Sequence, residues 1–447
     1  MNKNRRIAVI GSGISGAICA WLLREHADVC LFEAAARFGG HTHTVVDHTP
    51  TGPVAIDTGF MVFNRANYPL LSALFDELGV ATHPTSMSFA ASFDGGALEW
   101  AGTDLNGLFG QRRNLVRPAF WRMLNGIVRF NRIARDSLSQ PVDARLTVAG
   151  FLDRHGLDDT FRTRYLYPMA AAIWSCPQAS VARFPAQSFL RFFANHGLIQ
   201  LAGRPQWLTV DGGASTYMNR LIADLGERAR VACPVTRVER RDDGVELVFD
   251  DGQRAAFDEV VLACHSDQAL RLLADPGSSE RRVLAAIPYQ PNRVFLHRDP
   301  ALMPRARRVW SSWNYLSAGA DDGVGAQAVS VTYWMNSLQR LATRDDYFVS
   351  LNPLREPHPE RVVGEYCYEH PVFTAEALQA QRALPQIQGR RHTWFAGAWT
   401  GYGFHEDGMR SGVEVATALG AAVPWQAEMT ASRTLAQGAA RPLGQAA

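Results

Sequence analysis

The chain reads as an α/β protein, a Rossmann-type nucleotide-binding domain interleaved with an α+β substrate domain. Three observations predict this. An apolar strand runs into a glycine-broken turn and an apolar helix at the N-terminus, further strands with Asp-Gly turns return far downstream, and two long insertions of different texture separate them. At 447 residues the chain also exceeds what one compact core ordinarily holds.

The first strand is Ile7-Ala8-Val9-Ile10, followed by Gly11-Ser12-Gly13-Ile14-Ser15-Gly16 and a helix from Ala17 to Leu23. Gly11 permits the tight turn, Gly13 lets the backbone approach a diphosphate, and Gly16 lets the helix pack on the strand. The first amides of the helix, at Ile14 and Ser15, supply partial positive charge. Val29-Cys30-Leu31-Phe32 is the second strand, and Glu33 at its end is placed to accept hydrogen bonds from a ribose. Arg37-Phe38-Gly39-Gly40 then makes a second turn whose guanidinium and amides suit phosphate and ribose oxygens. This continuation resembles the extended FAD signature of the amine oxidase-like flavoproteins, which moves the expected cofactor from a generic dinucleotide to FAD.

From about Phe63 to Trp207 the chain is helix-rich and aromatic-rich, and a mixed stretch runs from Ala269 to Ile387. We expect the flavin domain to comprise 1–62, 208–268 and 388–425, and the substrate domain 63–207 and 269–387. In the middle flavin segment, Arg230 to Val238, Gly244 to Phe249 and Asp258 to Ala263 read as a β-meander returning to a parallel strand, with turns at Asp243-Gly244 and Asp251-Gly252. The tail 426–447 is rich in Ala and Gln and reads as poorly ordered.

One helix of the first insertion is strongly amphipathic. Phe120, Met123, Leu124, Ile127, Phe130 and Ala134 recur at helical spacing opposite Arg122, Arg129, Arg132 and Arg135. Arg112, Arg113 and Arg117 precede them, and no acid interrupts Gln111 to Arg135. Such a helix either lies on an anionic membrane surface or packs on a core with a solvated arginine face.

The last block, Trp394-Phe395-Ala396-Gly397-Ala398 through His405-Glu406-Asp407-Gly408-Met409-Arg410-Ser411, reads as a strand ending at Gly397, a glycine-broken loop, and a helix with Asp407 as its N-cap. Amides near Gly408 and Met409 would then face the flavin edge where negative charge gathers on reduction, with Ser411 one turn on.

Taken with His41-Thr42-His43-Thr44, Asp57-Thr58-Gly59-Phe60, Pro205-Gln206-Trp207, Tyr333-Trp334-Met335-Asn336, Leu351-Asn352-Pro353 and Gly403-Phe404-His405-Glu406, the chain resembles the bacterial FAD-dependent amine oxidase-like proteins linked to fatty acid modification. The match runs from Arg6 to about Leu419. It implies a desaturase of methyl-branched unsaturated acyl chains on phospholipids, a step toward furan fatty acids. It also implies an adenine contact from the backbone of Val235, phosphate or loop contacts from His41 and Thr42, and approach of Gly59 and Phe60 to the isoalloxazine.

An acyl chain with no carbonyl beside the reacting carbon cannot lose its first proton to a carboxylate, so hydride loss must lead, leaving an allylic cation that a methyl branch stabilises. Aromatic faces suit such a cation. Tyr165, Tyr167 and Trp174 are candidates to line the pocket, with Tyr333 and Trp334 beside them, or to be core. His405 or Glu406 is the expected base for the second proton, with Tyr167 the third catalytic candidate, while Asp57 braces its turn. Alternatives are an amine oxidase, a carotenoid or terpenoid desaturase, and a non-redox flavin-containing lipid isomerase or lipid-binding partner. Lys3 is the only lysine, so the lysine-held water of many amine oxidases has no residue to supply it.

A net charge of +2 argues against nucleic acid as a partner. Six cysteines without CxxC spacing argue against metal and disulfide frameworks, as does the lack of further ligands beside His41 and His43, which read as one face of a strand. Arg5-Arg6 before an apolar stretch mimics a secretion signal, but its glycines fit the nucleotide turn better. The expectation is a cytoplasmic protein, peripheral to the inner membrane face at most, acting on a lipid or other apolar substrate; its oligomeric state is not legible.

Overall fold

Five parallel strands form the nucleotide-binding sheet in the order Thr393–Phe395, Glu259–Leu262, Arg6–Ile10, Asp28–Phe32, Ala229–Arg230. The computed structural model that reveals it describes residues 5–139, 143, 145–200, 203, 205–317 and 330–425; the tail 426–447 lies outside them. The sheet strands are short apolar runs, as strands covered on both faces must be. One cover is the helix Ile14–Leu23, buried on every side. The C-terminal helix His405–Ala418 lies across it so closely that a Cβ on Gly412 would sit 2.2 Å from the Ser15 carbonyl oxygen.

The meander Val235–Arg241, Gly244–Phe249, Arg254–Phe257 lies beside this sheet; the chain turns at Asp251-Gly252 as expected, while the first turn is Asp242-Asp243 and Gly244 is already paired with Arg241. Its entry differs: Ala229–Arg230 belongs to the parallel sheet, the chain breaks at 231–234, and Val235 begins a new strand. Pro234, which has no N–H to give a ladder, marks the break.

A second sheet of seven strands runs in the order Val362–Pro371, Tyr289–His297, Phe348–Leu351, Ser330–Trp334, Trp313–Ser317, Phe89–Phe93, Leu98–Ala101. The parallel pairing of Trp313–Ser317 with Phe89–Phe93 joins the two insertions in one sheet. Helices Pro118–Leu138, Val148–Arg154, Tyr167–Trp174 and Ala186–Asn195 share an apolar core with its far edge.

Packing moves the expected domain borders. Phe63, Tyr68, Leu71, Leu74 and Phe75 belong to the core around Ile14–Leu23, so the segment carrying the helix Pro69–Glu77 is part of the nucleotide-binding half. Ala269, Leu273, Val283 and Leu284, with Ala377 and Leu384, likewise pack under the meander. Helices that cover a sheet are drawn to it by their apolar stripe, whichever side of a sequence border they fall on.

Candidate active site

The two glycine turns of the N-terminus meet each other. A Cβ on Gly40 would lie 3.2 Å from Gly13 Cα, while one on Gly13 would meet nothing within 4 Å, so the space directly before the helix Ile14–Leu23 is open. Ser12 locks the two turns: its Oγ accepts from the Gly39 amide at 3.1 Å and donates to Glu33 Oε2 at 2.6 Å. Glu33 Oε2 also accepts from the Ser12 amide at 2.9 Å, and its other oxygen accepts from the Ala35 amide. The Cys233 amide donates to the Glu33 carbonyl, which brings Val235 beside this acid.

Arg37 donates to the Gly40 carbonyl at 2.8 Å and has no carboxylate partner among the described residues. A cation facing a row of free amides is what a diphosphate needs. His41 lies near it with Nε2 buried and unpartnered, its ring 5.0 Å from Tyr368 and 5.3 Å from His370. Burial holds the His41 imidazole well below its usual pKa, hence neutral. His41 and His43 precede the strand Thr44–Thr49 instead of lying on it; His43 Nδ1 meets Tyr368 and Thr58.

Next to this cradle stands a buried polar chain. Thr42 Oγ1 lies 2.9 Å from the Tyr217 hydroxyl, which in turn meets His405 Nε2. The His405 ring stacks on Phe60 with centroids 3.8 Å apart, and its Nδ1 has no partner among the described residues. Burial pushes its pKa down to about 3, so the ring is neutral at any working pH. Gly59 and Phe60 are held there by the Phe60 amide, which donates to the His41 carbonyl. Sequence reasoning missed Tyr217 entirely; the only available signal was its inward position on the helix Ser215–Ala223.

Asp57 is fully buried and accepts from Thr44 Oγ1, the Ala214 amide and Gln339 Nε2. It braces three chain segments at the domain junction.

Several expected roles change in the C-terminal block. The helix starts at His405, two residues before the expected start, with Phe404 in the capping position. Asp407 is therefore the third helical residue and reaches back, accepting from the Phe404 and Tyr402 amides. The Gly408 amide is spent on the Phe404 carbonyl, and the Met409 side chain is in the core around Ile14–Leu23. The helix-end amides left without acceptors among the described residues are those of His405 and Glu406. Ser411 Oγ accepts from the Gly397 amide at 2.9 Å and donates to the Gly408 carbonyl, fastening Gly397 and Ala398 to the helix rather than facing a ligand.

Glu406 also departs from expectation. Its two oxygens accept from the Leu70 and Leu71 amides, so it caps the helix Pro69–Glu77 across the interface and does not face the cradle as a base. Burial outweighs those amides and pushes its carboxyl up to about 7. Glu406→Ala is expected to cost about 2 kcal/mol in denaturant unfolding, because two buried amides lose their acceptor. A folded pKa above the ordinary value of 4.5 means that this group's contribution is complete below pH 4.5 and is lost as pH rises toward 7. The difference between the unfolding free energies of Glu406→Gln and the parent should show that slope over this window.

The aromatic candidates divide in the same way. Trp174 lines an apolar cleft with Phe184, Phe189, Phe373, Leu378 and Tyr402, and Tyr402 is two residues from the cap of the C-terminal helix. Phe192 stacks on Phe404 at 5.0 Å, continuing the aromatic wall toward His405. Tyr333 packs edge-on to Trp313, half-buried against both the second sheet's core and the helical core that holds Trp174. Trp334, next on the strand, faces the other way. Its indole donates to Asp346, and Arg307 lies over the ring. Tyr165 is stacked between Trp100 and Phe161, and Tyr167 is half-buried against the helical core beside Arg162. Arg162–Leu166 winds as a π turn, a change of phase that residue spacing does not reveal.

The family profile "Flavin containing amine oxidoreductase" matches residues 14–305. The chain is 26% identical over 323 residues to the protein named "Putative flavin-containing monoamine oxidase AofH" of Mycobacterium tuberculosis; the match covers 69% of this chain and 62% of that one. It is 22% identical over 477 residues to an L-amino-acid oxidase of Siganus canaliculatus, covering 93% and 85%. The fold is similar to that of the CLA-producing fatty acid isomerase from P. acnes, with TM-score 0.67 and 16% identity over 94% of this chain and 100% of that one. It is also similar to that of cyclohexylamine oxidase from Brevibacterium oxydans, with TM-score 0.65 and 18% identity over 93% and 98%.

Proposed function

Because the chain belongs to the flavin containing amine oxidoreductase family and its cofactor is FAD, we propose that it removes two hydrogens from a methyl-branched unsaturated fatty acyl chain carried on a phospholipid. The observation that carries this reading is the apolar cleft that Trp174 shares with Tyr402, three residues before His405 in the chain. Its walls are Trp174, Phe184, Pro185, Phe189, Phe373, Leu378 and Tyr402, and the one other lining residue, Ser188, is uncharged. An ammonium group would meet no carboxylate there, whereas an acyl chain would leave no polar wall group desolvated.

The residues present fit FAD. The open space at Gly13, bounded by Gly11, Gly16, Gly39 and Gly40, would take the diphosphate with Arg37. Glu33 and Val235 flank the adenosine end. Gly59, Phe60, Ala398 and the amides of His405 and Glu406 would face the ring end. Bound there, FAD supplies a two-electron acceptor.

Trp174, Phe189 and Tyr402 exclude water and offer ring faces to an electron-poor carbon. A proton leaving such a carbon is strongly acidic, so a weak base suffices. In the tautomer in which His405 Nε2–H donates to the Tyr217 hydroxyl, the neutral imidazole leaves Nδ1 to accept, while Phe60 stacks on the ring. Incubating the yellow protein in air with phospholipids bearing a methyl-branched monounsaturated chain should give lipid lighter by two hydrogens on mass analysis. Turnover of primary amines with unchanged lipid would reject the lipid reading in favour of amine oxidation, and lipid of unchanged mass with a shifted double bond would favour an isomerase.

A further inference from the structure

The surface around residues 105–132 combines two properties that solvated helix faces rarely combine. The seven arginines Arg112, Arg113, Arg117, Arg122, Arg129, Arg132 and Arg135 occur without an intervening acid, and none of them forms an ion pair among the described residues, although other arginines of this chain do so repeatedly. Five of the eight large hydrophobic side chains exposed among the described residues lie here as well: Leu105 at 75%, Leu115 at 48%, Val116 at 82%, Trp121 at 50% and Val128 at 57%.

These side chains form one surface. Trp121, Val128 and Arg132 recur at helical spacing along the outer stripe of Pro118–Leu138. The Trp121 indole donates to the Leu115 carbonyl at 2.9 Å, tying the turn Arg112–Val116 to the helix. Arg112 bonds the Phe109 carbonyl and Asn106, tying in the short helix Leu105–Leu108. The inner face of the long helix is spoken for: Phe130 packs on Phe161 and Phe193, and Phe193 stacks on Trp174. The patch therefore lies on the outside of the helical layer that walls the apolar cleft.

We infer that this patch seats the protein on an anionic lipid bilayer, with Leu105, Leu115, Val116, Trp121 and Val128 entering the interface and the arginines meeting lipid phosphates. Guanidiniums whose described partners are backbone carbonyls and side-chain amides, not carboxylates, would alone suit any polyanion; exposed aliphatic groups with a tryptophan among them suit the headgroup boundary. The inference goes beyond the substrate reading and stands on its own observations.

The test is co-sedimentation of the FAD-loaded protein with phosphatidylcholine vesicles, with or without about a quarter phosphatidylglycerol. Binding to the anionic vesicles should exceed binding to the neutral ones by about tenfold or more, and Arg122→Gln/Arg132→Gln should weaken it roughly twentyfold, at about fivefold per charge near the surface. Leu105→Glu/Val116→Glu, at sites that touch nothing in the cleft, should weaken it by at least about tenfold with FAD content unchanged. No binding, or equal binding to both vesicles, overturns the inference. So does a parent-like Leu105→Glu/Val116→Glu variant, which together with a weakened arginine variant would assign the patch to a protein or nucleic-acid polyanion.

Discussion

His405→Ala is expected to slow substrate oxidation by about a hundredfold to ten-thousandfold while the protein stays yellow, the range for loss of a positioned proton acceptor. The ring connects the glycine cradle to the apolar cleft: it stacks on Phe60 on the cradle side, and the Tyr402–Phe404 loop leads from it to Trp174. Rapid-quench mass analysis of the desaturated lipid reads the effect, because the base acts after the hydride has left. Tyr217→Phe separates chemistry from packing, because it keeps the buried ring and removes only the hydroxyl that fixes His405 Nε2. It should fall between the parent and His405→Ala. Parent-like formation of desaturated lipid in His405→Ala would remove His405 from the chemistry.

Gly13→Ala should leave folding intact and weaken FAD by about tenfold to a hundredfold, the loss of one or two charge-assisted hydrogen bonds. The φ of Gly13 is −58° and its Cβ would point into space that is open in the protein, so only the ligand is obstructed. Gly16→Ala makes the contrast, since its Cβ would fall 1.9 Å from the Gly11 carbonyl oxygen and the turn itself must shift. Flavin titration of apoprotein together with thermal melts separates the two. Equal melting temperatures with equal FAD affinity for Gly13→Ala and the parent would contradict the placement of the cradle.

The cradle was legible because its parts are local. Gly11, Gly13 and Gly16 act within one turn, and Glu33 follows from the length of one strand. The interleaving of the halves was legible too, because the turns of the meander are local signals. What sequence reading missed depends on chain meeting chain. Glu406 has its partners at Leu70 and Leu71, and Asp57 has one at Gln339; nothing near either residue announces those amides and that side chain. The start of the C-terminal helix was misjudged because Asp407 resembles an N-cap while serving at the third position, from which an acid also reaches the end of the helix. Tyr165, Tyr167 and Trp174 could not be sorted, since the π turn before Tyr167 shifts the phase on which such sorting relies.

Anaerobic absorbance of the purified protein before and after adding phospholipid with methyl-branched monounsaturated acyl chains, with mass analysis of the recovered lipid, tests the central claim most directly. Lasting bleaching of the flavin, matched by lipid that has lost two hydrogens, is the predicted result. Flavin that stays oxidised beside unchanged lipid would contradict it.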